Sequence, residues 1–285
     1  MRKLVKTALS IATALAASLC GAAIASTLSA TVTLNDASEA AEALRGADVA
    51  VLGEVHDNPQ HHLNQAALLD MLQPKAVVWE MITEAQAAGL DAARLDDAEY
   101  VVKQLDWDRS GWPGFSLYAP VFAAAKEARQ YGALVPRREA SKALKQGVAA
   151  YFGAEAAARF GLDQPLPQDE QAAREADQLA SHCNAMPAEM LPVLVEFQRL
   201  RDAALAAAVD MALAETGGPV AVITGNGHAR TDRGLPVYLA KARPSAVLVS
   251  LGQSEGGEIS GAFDLFLNAS SVPRPDPCLA FKNSG

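Results

Sequence analysis

The residues able to do chemistry fall into a few short segments, and the most compact is Gly53-Glu54-Val55-His56-Asp57. Glu54 and His56 are two positions apart, so an extended backbone projects both to the same side. Such a pair can bind a metal, orient an imidazole for proton transfer, or close a buried salt-bridge network. His61 and His62 follow within a turn of the next segment. Adjacent helical positions point in different directions, so one is expected to face the site and the other water. Thr224-Gly225-Asn226-Gly227-His228 is the second focus: its glycines allow close backbone approach, and amides at the following helix start can hold carboxylate oxygens. Arg230 is either an anion clamp or a solvated helix charge. His182-Cys183 is a third approach to the same region.

Several chemistries are poorly supported. There is no GxGxxG or GxxxxGK[ST] loop for a nucleotide and no GxSxG elbow for a serine hydrolase. Adjacency of His182 and Cys183 does not make a nucleophile, because catalysis needs reach and orientation. Cys183 and Cys278 lack the spacing of a zinc cluster or a redox pair; they can form one disulfide or remain two thiols.

The elements that must carry these residues read as repeated strand, turn and helix units. Apolar runs at 50–52, 75–81, 132–135, 219–223 and 246–251 are expected strands, with 80 and 224–228 following their carboxyl ends. Asn58-Pro59 is expected to cap and open a helix over 61–72. Residues 83–105 and 118–131 read as helical, 139–177 as a helical excursion, and 188–215 as a long helix with Met190, Leu194, Phe197, Leu200, Ala204 and Met211 inward. Gln198, Arg201 and Asp202 on another face form either a surface ladder or a cavity border. The loop between, with Trp107, Trp112 and Phe115 among Gly and Pro, reads as a ligand wall or a satellite core. The expected fold is α/β: a mainly parallel open sheet flanked by helices, with an inserted or attached helical subdomain over 84–215. Ligands of such sheets bind beyond the carboxyl ends of the strands.

Composition bounds the partners. The 285 residues are 50% hydrophobic and 20% charged, enough for a substantial core. Residues 1–25 combine Arg2, Lys3 and Lys6 with an apolar, alanine-rich run and no acid, the pattern of a cleaved signal peptide. The run is shorter and more broken than the ~20 apolar residues of a membrane span. Cleavage before Ser26 leaves 26–285 as one domain, with 21 basic residues against 33 acidic and a formal charge of −12. That balance argues against nucleic acid. Export to a bacterial periplasm is expected. Lipidation at Cys20 is the less favoured route, since Leu19 stands where a lipoprotein has a small residue.

Taken together, Gly53 to Asn58 with His61-His62, Val78-Trp79-Glu80-Met81, Trp107 to Tyr118, His182 with Met186-Pro187, Gln198 to Asp202, and Gly225 to Arg230 resemble, in order, the ChaN-type haem-binding uptake family. That family is similar in its core to the Tiki, TraB and erythromycin-esterase-like proteins. The resemblance implies an exported protein of iron acquisition, with haem held in a site completed by a homodimer and with outer-membrane haem-uptake components as partners. It departs from the family in its poor lipobox and in a tail, Phe263-Asp264-Leu265-Phe266, that lacks the usual tyrosine. Haem iron accepts His or Tyr, its porphyrin an apolar slot, its propionates Arg or backbone donors. His56, His182, His228 and Tyr118 are therefore candidate iron ligands, Trp107, Trp112 and Phe115 candidate walls, and Arg201 and Arg230 candidate propionate partners. The alternative is a Tiki-like hydrolase in which Glu54, His56, Glu80 and His228 hold a divalent metal ion that activates water.

Overall fold

The computed structural model describes residues 32–257, 259–276 and 278–279. The expected signal peptide and Cys20 lie outside the described residues. Seven strands, all parallel, form one sheet in the order β1-β7-β6-β2-β5-β3-β4. They are β1 (Val32–Leu34), β2 (Val49–Glu54), β3 (Ala76–Trp79), β4 (Arg129–Gly132), β5 (Val220–Gly225), β6 (Leu248–Glu255) and β7 (Leu265–Ala269). β2 and β5, VAVLGE and VAVITG, are buried at every position, as near-continuous apolar runs must be when helices cover both faces. Their register sets Glu54 opposite Gly225. The expected α/β open sheet is thus observed.

One face of the sheet carries a core around Leu52, Trp79, Trp107, Tyr118 and Phe122, with the Trp79 and Phe122 rings stacked at 4.1 Å. The other carries Val51, Val78, Val222 and the inner side of the helix Leu191–Thr216. Asn58 caps the helix Pro59–Leu72 by accepting from Gln60 N–H at 2.9 Å, and Pro59 opens it as expected.

Several boundaries move. The expected helix over 118–131 is Phe115–Ala124, and the strand expected at 132–135 is β4, three residues earlier. Residues 83–105 split into Glu84–Ala88, a 3₁₀ turn and Ala98–Leu105. Because β4 and the helix Phe115–Ala124 belong to the sheet and its cover, the helical excursion proper starts later, with helices from Arg137–Gln146 to Gln168–Ser181. The strand expected at 246–251 runs on to Glu255, and the tail strand is Leu265–Ala269. β1 was not anticipated; three residues leave little periodicity to read.

The inward face of the long helix is also corrected. Leu200 is buried, but Met190 is exposed and Leu194, Phe197, Ala204 and Met211 are only partly covered. Leu191, Val195, Asp202, Ala206 and Val209 face the core instead. The helix is apolar nearly all round, so its period points to no single face.

Candidate functional site

β2, β3 and β5 bring two buried carboxylates, Glu54 and Glu80, and two imidazoles, His56 and His228, to their carboxyl ends, with the long helix and its Asp202 closing one side. Glu54, the last residue of β2, is buried. Its Oε1 accepts from His56 Nδ1 at 2.7 Å and from the Tyr118 hydroxyl at 2.7 Å. The expected same-side pair therefore forms, with Tyr118 as a third member. Burial works against the Glu54 carboxylate, yet the His56 hydrogen bond and the charges of His62 and His56 hold its pKa below the ordinary value. Burial likewise opposes the His56 imidazolium, but the bond to Glu54 and the charge of Glu80 raise its pKa. Tyr118 is pushed up by burial and by Glu54.

His56 keeps 33% of its side chain exposed. Nδ1–H donates a hydrogen bond to Glu54, so in its neutral form the ring presents a lone pair at Nε2. Nε2 has no hydrogen-bond partner among the described residues and lies 4.0 Å from Glu80 Oε1. The Trp112 ring lies against His56, centroids 4.9 Å apart, and its Nε1 donates to the Met81 carbonyl at 3.1 Å.

Glu80, just after β3, is the second buried anion. Oε2 accepts from Thr224 Oγ1 and Gly225 N–H, each at 2.7 Å, and Oε1 from Arg201. His228 Nε2 lies 3.5 Å from Oε1, while its Nδ1 is 2.6 Å from Asp202 Oδ1. Burial raises the Glu80 pKa, but the charges of His228, Arg201 and His56 and the Gly225 amide bring it down to about 2. Asp202 is pushed up by burial, which the His228 charge only partly offsets. Gln198, Arg201 and Asp202 thus border the site rather than form a surface ladder.

The other expected positions separate. His61 and His62 are both fully buried, contrary to the expected division between site and water. His61 accepts the Val55 N–H at 2.9 Å and reaches the Ser254 carbonyl at 3.3 Å, locking the β2 turn onto β6. His62 holds the His56 carbonyl through Nε2 at 2.9 Å, and its Nδ1 stands 3.4 Å from Glu54 Oε2. Trp107 and Phe115 pack edge to face in the core beneath the site, so of the three aromatic walls Trp112 alone borders His56. Arg230 is gripped by Asp232 at 2.8 and 2.6 Å. His182 lies on the subdomain, Nδ1 2.8 Å from the Gln178 carbonyl, and is not brought to the strand ends. The Gly225 amide expected to hold a ligand carboxylate holds Glu80 instead.

Sequence reasoning named His62 and Thr224 without their roles and missed the pairing of Tyr118 with Glu54. Thr224 is one residue before a marked glycine, and nothing in sequence shows that its hydroxyl turns to β3. Among the described residues no group of three or more His, Cys, Asp or Glu side chains is arranged to hold a metal ion. The Arg201 guanidinium already neutralises Glu80 at the place a divalent ion would need, so the donor set does not favour the hydrolytic alternative.

An open parallel sheet with imidazoles and carboxylates gathered at its strand ends defines an α/β ligand-binding protein. The family described as haem-binding uptake, Tiki superfamily, ChaN matches residues 40–239, and the chain belongs to it. Among solved structures, that of cofacial haem binding to ChaN of Campylobacter jejuni is 21% identical over 80% of this chain and 90% of its own, with a TM-score of 0.62, which shows the shared fold. The type III effector HopBA1 aligns over 83% of this chain and 94% of its own at 14% identity and a TM-score of 0.44. A Bacillus cereus protein aligns over 77% and 70% at 14% identity and a TM-score of 0.39. No curated protein sequence matches the chain.

Proposed function

We infer that this chain binds haem at the cleft between β2, β3 and the long helix, and that its cellular role is haem capture or transfer after export. The observation that carries the reading is His56: a part-exposed imidazole, fixed as one tautomer by a buried carboxylate, with Nε2 left without a partner beside an aromatic ring. A carboxylate behind a histidine orients the ring and raises its basicity as a ligand. Haem, when bound, supplies an iron with an open axial position and a flat apolar ring.

The residues present fit that group. His56 would hold the iron, Trp112 would flank the porphyrin, and Arg201, its side chain 22% exposed and lying over the Phe197 ring at 5.6 Å, would meet a propionate. Met190, Leu194, Phe197 and Arg201 recur at helical spacing, so the stripe expected to face the core becomes a part-exposed apolar ramp leading to Glu80. Tyr118 and His228 are spent on Glu54, Asp202 and Glu80, which favours His56 over them as ligand. A second copy of the chain covering the ramp would complete the slot. A signal peptide over 1–25, a periplasmic location and outer-membrane uptake partners belong to the same reading, supported by the leader's composition and by the family.

The test is a titration of the purified chain with haemin followed by absorbance. A saturable Soret band that shifts or disappears in His56→Ala is expected. No band at stoichiometric haemin rejects haem binding, and an unaltered band in the variant rejects His56 as ligand.

A further inference from the structure

A second concave site lies beside the strand ends, between the helical subdomain and the long helix. Its volume is about 250 Å³, and three elements wall it. Arg174, Asp177 and Gln178 stand at spacings of three and four on the helix Gln168–Ser181, so they share one face of it. Gln198 and Asp202, four apart, answer them from the helix Leu191–Thr216, and Arg230 and Arg233 close the rim from the turn after β5. Glu80, His56 and Trp112 form no part of the wall. His228 meets Asp202 through Nδ1 and Glu80 through Nε2, so its ring stands between this cavity and the cleft of His56.

The wall carries two buried charges that are not paired with each other. The Arg174 side chain is 5% exposed; Nε and Nη2 donate to Glu170 Oε1 at 3.0 and 2.5 Å, and Nη1 has no partner among the described residues. Asp202 is 4% exposed; Oδ1 takes His228, and Oδ2 has no partner among the described residues. The Arg174 charge acts on Asp202, yet no ion pair joins them. The side chains of Gln178 and Gln198 are likewise without hydrogen bonds among the described residues. Groups so deeply placed need partners, and a charge needs one more than a dipole does. On the rim the charges cancel, because Asp232 holds Arg230 and Asp177 holds Arg233. What is left facing the interior is one positive group and one negative group.

We propose that this cavity binds a small polar α-amino acid as its zwitterion, with the carboxylate on Arg174 and the ammonium on Asp202. A simple anion drawn to Arg174 would also face the Asp202 carboxylate, and a simple cation would meet the reverse conflict. A zwitterion satisfies both groups and brings no net charge into a site whose rim is already neutral. Its ammonium also offsets the cost of burying Asp202, which is what pushes that carboxyl up. Each glutamine offers a donor and an acceptor, which suits a hydroxyl or carboxamide side chain. Val195 is the one hydrocarbon side chain of the wall, so a long apolar ligand would find little to bury against. A water occupies about 30 Å³ of liquid, so the space matches one small molecule rather than a peptide. The site does not depend on the haem reading.

The test is isothermal titration calorimetry of the full chain, without haemin, using glycine, L-serine and L-glutamine, with sodium acetate and methylammonium chloride as the two half-ligands. A saturable heat is expected with at least one of the amino acids, at an affinity about tenfold or more above either half-ligand. Gln198→Ala removes a side chain that makes no hydrogen bond in the fold. It should keep its helix by circular dichroism and weaken binding about three- to tenfold, as the loss of one hydrogen bond does. Arg174→Met should abolish binding. No heat with any of the three amino acids overturns the proposal. So does acetate or methylammonium binding as tightly as they do, which would mark a site for a single charge. Unchanged affinity in Gln198→Ala places the ligand elsewhere and overturns it too. If Arg174→Met loses helix, Gln198→Ala decides alone. Haemin takes no part in these titrations, so their failure leaves the haem reading standing, and an absent Soret band leaves this site standing.

Discussion

At the scale of single residues, the site is two buried carboxylates, each neutralised in its own way. Glu54 accepts from an imidazole and a phenol, while Glu80 accepts from a guanidinium, a hydroxyl and an amide. Glu54→Gln keeps the shape but weakens the charge-assisted bond that orients His56. Haemin affinity should fall about tenfold with a shifted Soret band, as replacing an outer-shell partner typically does. Glu80→Ala strands Arg201 among buried groups and should cost about 3–5 kcal/mol, read by urea unfolding. The same residue fixes a pH dependence. Its folded pKa of about 2 lies below the ordinary 4.5, so its contribution is complete above 4.5 and is lost as pH falls toward 2. A loss of about 3 kcal/mol across that window is expected in wild type, and a flatter curve in Glu80→Gln.

At the scale of elements, the close approach of β5 to the β2 turn leaves no room for a side chain at Gly225. A Cβ there would stand 2.8 Å from His56 Nε2 and 3.1 Å from its Cε1. Gly225→Ala should therefore push the His56 ring aside, lowering haemin affinity about tenfold while moving stability by only about 1–2 kcal/mol, since the ring can swing into the cleft. Thermal melting and absorbance titration of one sample check both halves. The apolar ramp of the helix Leu191–Thr216 makes a different prediction. Met190→Glu with Val193→Glu alters residues that are 39% and 38% exposed, so folding should be unaffected. If a second copy covers the ramp, the haem-loaded chain should sediment as a dimer and this variant as a monomer. Strand and helix order was legible because buried parallel strands are short apolar runs bounded by turn residues. The direction of the long helix was not, because an alanine-rich helix with apolar residues on every side carries little periodicity.

At the scale of the whole molecule, the disulfide closes a loop of sequence separation 95 and joins the helical subdomain to the tail. Restricting the unfolded chain over such a distance contributes about 2–4 kcal/mol, so Cys278→Ser should lower the urea midpoint at unchanged slope. A change of slope would mean that the tail shapes the unfolded ensemble instead. Cysteine count permitted this bond and two free thiols equally. Only the return of the tail past Arg274 brings the two sulfurs together.

What the sequence determined by itself was the order of elements, the location of the chemistry at strand ends and the family, because each depends on residues close together or on motifs in a fixed order. Glu54 with His56 was legible for that reason, since their spacing of two needs nothing beyond an extended backbone. Tertiary structure alone decided which groups satisfy one another. Tyr118 lies 64 positions from Glu54, Arg201 lies 121 from Glu80, and Thr224 lies 144 from Glu80. Their meeting follows from strand register and helix rotation. Burial then pairs most of the polar atoms so gathered, Glu54 Oε2 and His62 Nδ1 excepted, and it is this pairing, invisible in any local pattern, that leaves His56 as the part-exposed imidazole of the site.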